Sequence, residues 1–230
     1  KALNSTEVTT LYNETACTPA PLDPCVDVFS DQSGVALYQL NGTSFDLGRR
    51  FDGTAVNITY GTGEFGQAAV FNGSSSYIDV PAFNQGAEVS VSFWLNKSSG
   101  GDAIQVIADK RVGGSHSNFY IYHYLGKTSF QVRNSSGNAW LLDVSSTIGV
   151  WDFYTMTFGS GTLAIYKNGQ FISQNTNAVM DSTNNTMKIG RINNNIVYNL
   201  LGSLDQVRIF NRAISAAEVT TLYTSDASCG

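Results

Sequence analysis

From about residue 30 to residue 210 the chain is a succession of short, apolar-rich runs, each closed by Gly, Asn or Ser. That punctuation admits short strands. It excludes a helix-alternating α/β fold, because no helical periodicity runs between the strands. The spacing predicts strands over 35–40, 67–72, 77–80, 89–95, 104–110, 119–124, 129–133, 140–144, 152–158, 163–167, 187–189 and 202–210. Lys167-Asn-Gly-Gln170 reads as a hairpin, since Asn-Gly supplies the two positive-φ residues of a type I′ turn. Strands this many and this short, with one terminal helix, predict an all-β, two-sheet jelly-roll sandwich.

The two ends of the chain repeat each other. Lys1-Ala-Leu-Asn-Ser-Thr-Glu-Val-Thr-Thr-Leu-Tyr12 aligns without gaps on Arg212-Ala-Ile-Ser-Ala-Ala-Glu-Val-Thr-Thr-Leu-Tyr223. Each copy reads as a short helix in which Asn4 or Ser215 is the N-cap and Glu7 or Glu218 closes a capping box. Val8, Leu11 and Tyr12 recur as Val219, Leu222 and Tyr223, one apolar stripe at i, i+3, i+4. A helix cannot bury such a stripe alone. The expected organisation is therefore a tandem array: residues 1–16 form the tail of a preceding repeat, 17–30 a linker, 31–225 the domain, and 226–230 the start of the next linker. The alternative is that the first helix packs on this same domain.

The linker carries Cys17 and Cys25 around Thr-Pro-Ala-Pro-Leu-Asp-Pro, a stiff extended stretch that a disulfide between its ends can staple. Cys229 is left over and matches Cys17 to within one residue of the repeat, so its partner is expected outside this repeat. Three unpaired thiols are the alternative. No Cys/His cluster with zinc spacing is present.

Lys plus Arg number 13 against 18 Asp plus Glu, a net charge of −5, and no basic run exceeds a pair, which argues against nucleic-acid binding. Only 13% of residues are charged, so the surface is expected to be neutral and built from Asn, Ser, Thr and Gly. No apolar run is long enough to span a membrane. Eight Asn-x-Ser/Thr sequons occur, a frequency that a chain with 20 Asn produces by chance, so they assign no host.

Four segments, in order, resemble the laminin-G-like, concanavalin A-like jelly-roll family. They are Glu64-Phe-Gly-Gln-Ala-Ala-Val-Phe-Asn-Gly-Ser-Ser-Ser-Tyr-Ile-Asp-Val80, Val89-Ser-Val-Ser-Phe-Trp-Leu95, Val150-Trp-Asp-Phe-Tyr-Thr-Met-Thr-Phe158 with Leu163-Ala-Ile-Tyr-Lys-Asn-Gly169, and Gly202-Ser-Leu-Asp-Gln-Val-Arg-Ile-Phe-Asn-Arg-Ala-Ile-Ser-Ala-Ala-Glu218. Tandem copies of this style also resemble modules of bacteriophage appendage proteins. The resemblance implies a concanavalin A-like sandwich and a structural calcium ion. It places the ion's ligands at Asn41, Gly73 and Asp205. Strand alternation puts Asp205 on the face of Val207 and Ile209, away from Arg208, where a carboxylate needs a partner. Calcium is one partner. Nearby backbone N–H groups are the other.

Some enzymes share this jelly roll and cleave polysaccharides with two facing carboxylates. The chain has only Glu7, Glu14, Glu64, Glu88 and Glu218, none with an acid at strand spacing. Asp102 and Asp109 are seven apart, which places them on opposite faces. His116 and His123 sit in no triad-like arrangement. No catalytic role is expected. For ligand binding, Phe119-Tyr-Ile-Tyr-His-Tyr124 alternates Tyr120, Tyr122 and Tyr124 on one face, and Trp140 follows a turn where it can form a rim. Aromatic faces stack on sugar rings, but core packing competes for the same residues. The loops 96–102, 112–117 and 191–199 are the expected contact surfaces.

The reading that results is a non-catalytic, extracellular or virion-surface adhesion module that binds a cell-surface glycan or protein and contacts its neighbouring repeats. Repetition strengthens weak single-site binding. Two alternatives remain open: a structural bead of a fibre or appendage, and an accessory carbohydrate-binding domain of a polysaccharide-degrading enzyme.

Overall fold

The computed structural model describes residues 2–6, 9, 23–98, 103–111, 118–193 and 197–225. In chain order the strands are β1 (Gly34–Tyr38), β2 (Thr54–Val56), β3 (Thr59–Thr62), β4 (Gln67–Asn72), β5 (Tyr77–Phe83), β6 (Val89–Lys97), β7 (Gln105–Asp109) and β8 (Asn118–Tyr124). Next come β9 (Lys127–Arg133), β10 (Ala139–Ser145), β11 (Trp151–Gly159), β12 (Thr162–Lys167), β13 (Gln170–Thr176), β14 (Asn185–Ile189) and β15 (Leu201–Phe210). The helix α1 (Ala216–Ser225) follows. The strands form two antiparallel sheets. One has the order β13-β12-β11-β6-β15-β4-β3, with β1 also on β15, and the other the order β10-β9-β8-β7-β14-β5-β2.

Every strand expected from the sequence is present, with ends displaced by a few residues. Three were not foreseen. β2 and β3 are too short to show a period, and β13 is an edge strand whose residues are mostly exposed, so it shows no buried alternation. The Asn168-Gly169 turn has φ of 51° and 77°, the type I′ pair.

The main core lies between the sheets, around Phe71, Phe83, Phe93, Phe119, Phe130 and Tyr154. A second apolar layer covers the outer face of the eight-stranded sheet, where Trp94, Phe153, Tyr166 and Phe210 meet Val219 and Leu222 of α1. Burying those two α1 side chains contributes about 1.5–3 kcal/mol each. Tyr223 stacks on Trp94 at 5.5 Å between ring centroids. The capping box forms as the spacing predicts: Ser215 N–H donates to Glu218 Oε2 at 2.7 Å and Glu218 N–H to Ser215 Oγ at 3.4 Å.

The layer under α1 includes chain that the sequence assigned to the linker. Val26 is buried, Phe29 lies 5.4 Å from the Phe210 ring, and Arg208 donates to the Cys25 carbonyl. Arg212 ties Asp31 and Glu218 together, at 2.6 Å to each. The packed layer thus includes Val26, Val28 and Phe29, ahead of residue 31. Cys17, Cys229, residues 226–230 and the stripe residues Val8, Leu11 and Tyr12 lie outside the described residues.

Candidate ligand-binding face

The outer face of the seven-stranded sheet carries the three tyrosines singled out above. A tight turn at Leu125-Gly126, with φ of 48° and 74°, joins β8 to β9. Alternation along β8 sends Phe119, Ile121 and His123 inward and Tyr120, Tyr122 and Tyr124 outward. Their exposure is graded: Tyr120 is 6% exposed, Tyr122 half-buried and Tyr124 39% exposed. Tyr120 and Tyr122 stack at 4.6 Å.

Tyr120 is covered from the other side. The Arg111 guanidinium sits 3.4 Å from its ring centroid and is held there by Asp109, whose Oδ1 accepts from Arg111 Nε at 2.9 Å. Asp109 Oδ2 accepts the Asn193 N–H at 3.0 Å, tying in the segment after β14. Burial pushes the Tyr120 hydroxyl well above the usual phenol range. Tyr120 is therefore a base on which Tyr122 rests, and Tyr122 and Tyr124 are the part of the ladder open to solvent.

Register extends this face across the sheet, because Tyr120 pairs with Gln131 and Asp109, and Asp109 with Lys188, which pairs with Asp79. Arg133 Nε donates to Gln131 Oε1 at 2.8 Å. Lys188 forms an ion pair with Asp79, and Lys188 and Arg191 approach the Tyr77 ring at 4.9 and 3.6 Å. A groove of about 410 Å³ lies here, lined in part by Thr54, Asp79, Thr186, Lys188 and Asn193. Aromatic faces beside amides and paired charges can stack on an apolar ring face while bonding its polar rim.

Trp140 does not join the three tyrosines. It pairs with Val132, which pairs with Phe119, so all three share the inner face, and Trp140 packs against the core. Its rung of the ladder, not its closeness to a turn, sets its side. His123 is fully buried between the sheets, where burial first, then the charge of Lys97, holds its pKa down to about 4.

The three residues proposed for calcium do not converge. Asn41 Oδ1 accepts the Gln67 N–H at 2.6 Å and Asp205 Oδ2 the Phe65 N–H at 2.9 Å, so both grip the loop entering β4. Gly73 lies at the other end of that strand, where its N–H donates to the Leu200 carbonyl at 2.8 Å. Asp205 also faces the other way from the alternation argument: it pairs with Trp94 on the α1 side, while Val207 and Ile209 face the inner core. The register shifts between Asp205 and Arg208, where Gln206 has φ of 49°, and this reverses the faces. Among the described residues no group of three or more His, Cys, Asp or Glu could hold a metal ion. The donor set as proposed does not fit one ion.

Sequence reasoning overlooked Asp46. This fully buried carboxylate accepts four backbone N–H groups. Leu37 (3.0 Å) and Gly48 (3.1 Å) donate to Oδ1, and Arg50 (3.0 Å) and Phe51 (3.1 Å) donate to Oδ2. The Asp-Leu-Gly spacing, an Asx-turn signature, was the available signal.

Fold and face together define a two-sheet, lectin-type β-sandwich with an aromatic and polar sheet surface. The chain belongs to the concanavalin A-like lectin/glucanases superfamily, whose Laminin_G_3 model matches residues 72–220. Among solved structures it is similar to the receptor-binding domain of botulinum neurotoxin D, with 17% identity and a TM-score of 0.69 over 84% of this chain and 53% of that one. The chain spans about half the length of such neurotoxin domains. It is also similar to domain 4 of AbnA, a GH43 extracellular arabinanase from Geobacillus stearothermophilus, solved with arabinotriose. There the identity is 23% and the TM-score 0.64, over 82% of this chain and 97% of that one. At these identities the likeness is one of fold. No curated protein sequence matches the chain. No helix among the described residues is long and apolar enough to cross a membrane.

Proposed function

We propose that this domain is a non-catalytic adhesion module, displayed outside a cell or on a virion, that binds a cell-surface glycan or protein through the outer face of its seven-stranded sheet. The observation that carries the reading is the Tyr122–Tyr124 surface, backed by Tyr120 and Arg111 and flanked by Gln131 and the Asp79–Lys188 groove. Its structural neighbours, a toxin's receptor-binding domain and an arabinanase domain solved with arabinotriose, support binding over catalysis. A glycan array probed with the domain displayed multivalently tests it. Binding to a defined glycan class is expected, and Tyr122→Ala with Tyr124→Ala should reduce it about tenfold or more per site. A blank array with the folded domain, together with no retention on host-cell surfaces, counts against it.

The bead reading keeps one specific support. Phe171 and Ile172 are 52% and 42% exposed on β13, a free sheet edge suited to a neighbour in a fibre.

The tandem arrangement is proposed with it: residues 1–16 close a preceding copy, and the chain from 17 leads into the packed stretch at Val26 of this one. A Cys17–Cys25 disulfide is part of that proposal. Cleavage before Asp23 in the oxidised chain is expected to leave the two cysteine peptides joined until reduction. Three free thiols in the oxidised chain would reject the pairing.

A further inference from the structure

A second candidate site borders the tyrosine ladder: the Tyr198 carbonyl accepts the N–H of Val106, the residue that pairs with Tyr122. A cavity of about 440 Å³ opens there, between Asn72 and Gly73 after β4, Ile104 and Gln105 at the start of β7, and the Val197-Tyr198 segment. That volume lies within the range of small-molecule pockets.

The floor is stiff. Leu201 N–H donates to Gln105 Oε1 at 2.8 Å, which stitches one sheet to the other. The Leu201 carbonyl accepts from Lys97 Nζ at 2.7 Å and from Ser98 N–H at 3.3 Å, and Gly73 N–H is fastened to the Leu200 carbonyl at 2.8 Å. The wall is held as well. The Tyr198 carbonyl accepts the Val106 N–H at 2.8 Å, and Tyr198 has φ of 63°, a left-handed backbone that a bulky residue rarely adopts. This conformation leaves the Tyr198 ring 43% exposed beside Val197, 40% exposed. None of the described residues lining the cavity carries a charge.

We propose that this cavity binds a neutral saccharide unit, with the ring of Tyr198 as its stacking wall. A charged ligand would lose hydration here without meeting a countercharge. A sugar ring joins an apolar C–H face, suited to Tyr198, Val197 and Ile104, to hydroxyl oxygens that can accept from the amide nitrogens of Asn72 and Gln105, whose amide oxygens are already taken by backbone N–H groups. The inference rests on the adhesion reading only in part: it narrows the ligand class, and uses residues that the sheet face does not.

The test titrates the full chain with neutral pentose and hexose trisaccharides, with uronate- and sulfate-bearing ones alongside, and follows backbone amide resonances. Neutral saccharides are expected to shift the amides of Gly73, Val197 and Leu201. Tyr198→Ala should weaken binding about tenfold, Tyr198→Phe should retain most of it, and Phe171→Ala should leave it unchanged. Should the alanine variant unfold, the wild-type shift map and the Tyr198→Phe affinity still decide. Preference for acidic saccharides, shifts confined to β8 and β9, no shifts at all, or wild-type affinity in a folded Tyr198→Ala chain would each overturn the proposal. Array binding that depends on Tyr122 and Tyr124 but ignores Tyr198 would reject this site and leave the adhesion reading standing.

Discussion

Replacing Asp46 with alanine is expected to destabilise the domain by about 4 kcal/mol and lower its melting temperature by about 10 °C. Both carboxylate oxygens are saturated by the N–H groups of Leu37, Gly48, Arg50 and Phe51, and the side chain is fully buried. Leu37 lies in β1, and the Asp46 loop also donates Leu47 N–H to the Leu37 carbonyl at 2.8 Å. The carboxylate therefore covers a strand edge as well as holding its own turn. Alanine would strand four donors and leave a void. Asp46→Asn separates size from chemistry, because its amide nitrogen would face two N–H donors where an oxygen now accepts them. It should cost nearly as much as alanine. Urea denaturation measures both, and a loss under about 1 kcal/mol in Asp46→Ala would show that the loop does not depend on the carboxylate.

The pH profile of stability should rise on the alkaline side of neutrality, with its maximum near pH 9–10. Two fully buried lysines set this limb. Burial holds Lys97 down to about 8 and Lys110 down to about 7, against 10.5 for a free side chain. In the folded chain these groups lose their protons before pH 9, while the unfolded chain keeps them until about 10.5. Between those values the unfolded state binds more protons, so raising the pH favours folding. The three carbonyls that accept from Lys110 Nζ, those of Phe83 (2.6 Å), Asn185 (2.8 Å) and Thr183 (3.1 Å), favour its charged form and moderate the effect. A gain on the order of 3 kcal/mol between pH 7 and 10 is expected.

Two other limbs close the curve. His123, held down to about 4, takes up its proton in the unfolded chain first, so stability falls from about pH 6.5 to 4. Glu218, held at about 2 chiefly by its hydrogen bond from Arg212, adds a loss below about pH 4.5. Burial raises the hydroxyls of Tyr38 and Tyr154, the latter to about 12, so above pH 10 the unfolded chain ionises first and stability drops. Lys110→Met should flatten the rise between pH 7 and 10. A wild-type stability that is flat or falling over that interval would contradict the assignment.

Legibility in the sequence followed the range of the interactions. β4, β6, β11 and β15 were readable because their burial alternates along the chain or runs without a break through it. The Asn168-Gly169 turn and the Ser215–Glu218 box were readable because both are closed by residues at most three apart. Trp140 and Asp205 were misplaced for a common reason: which face a strand residue occupies depends on register with its neighbour. In β15 the bulge at Gln206 inverts that register, and no local pattern announces it. Gly73 was assigned to an ion by resemblance. The β4–β15 ladder carries it to the opposite end from Asp205, into the wall of a cavity.

The sequence by itself determined most of the secondary structure, the two-sheet class, the helix cap and the division of β8 into two alternating sets, because each follows from spacing within one segment; which of those sets faces the core came from the sheet packing. Only the tertiary structure decided that Arg111 covers Tyr120 while Tyr122 and Tyr124 stay open to solvent. It alone showed that Val28 and Phe29 pack in the layer beneath α1, and that Gly73, Gln105 and Tyr198 meet around one cavity. All but the first of those contacts join segments tens of residues apart. They are chosen by the register and packing of two whole sheets, to which each segment contributes only a part.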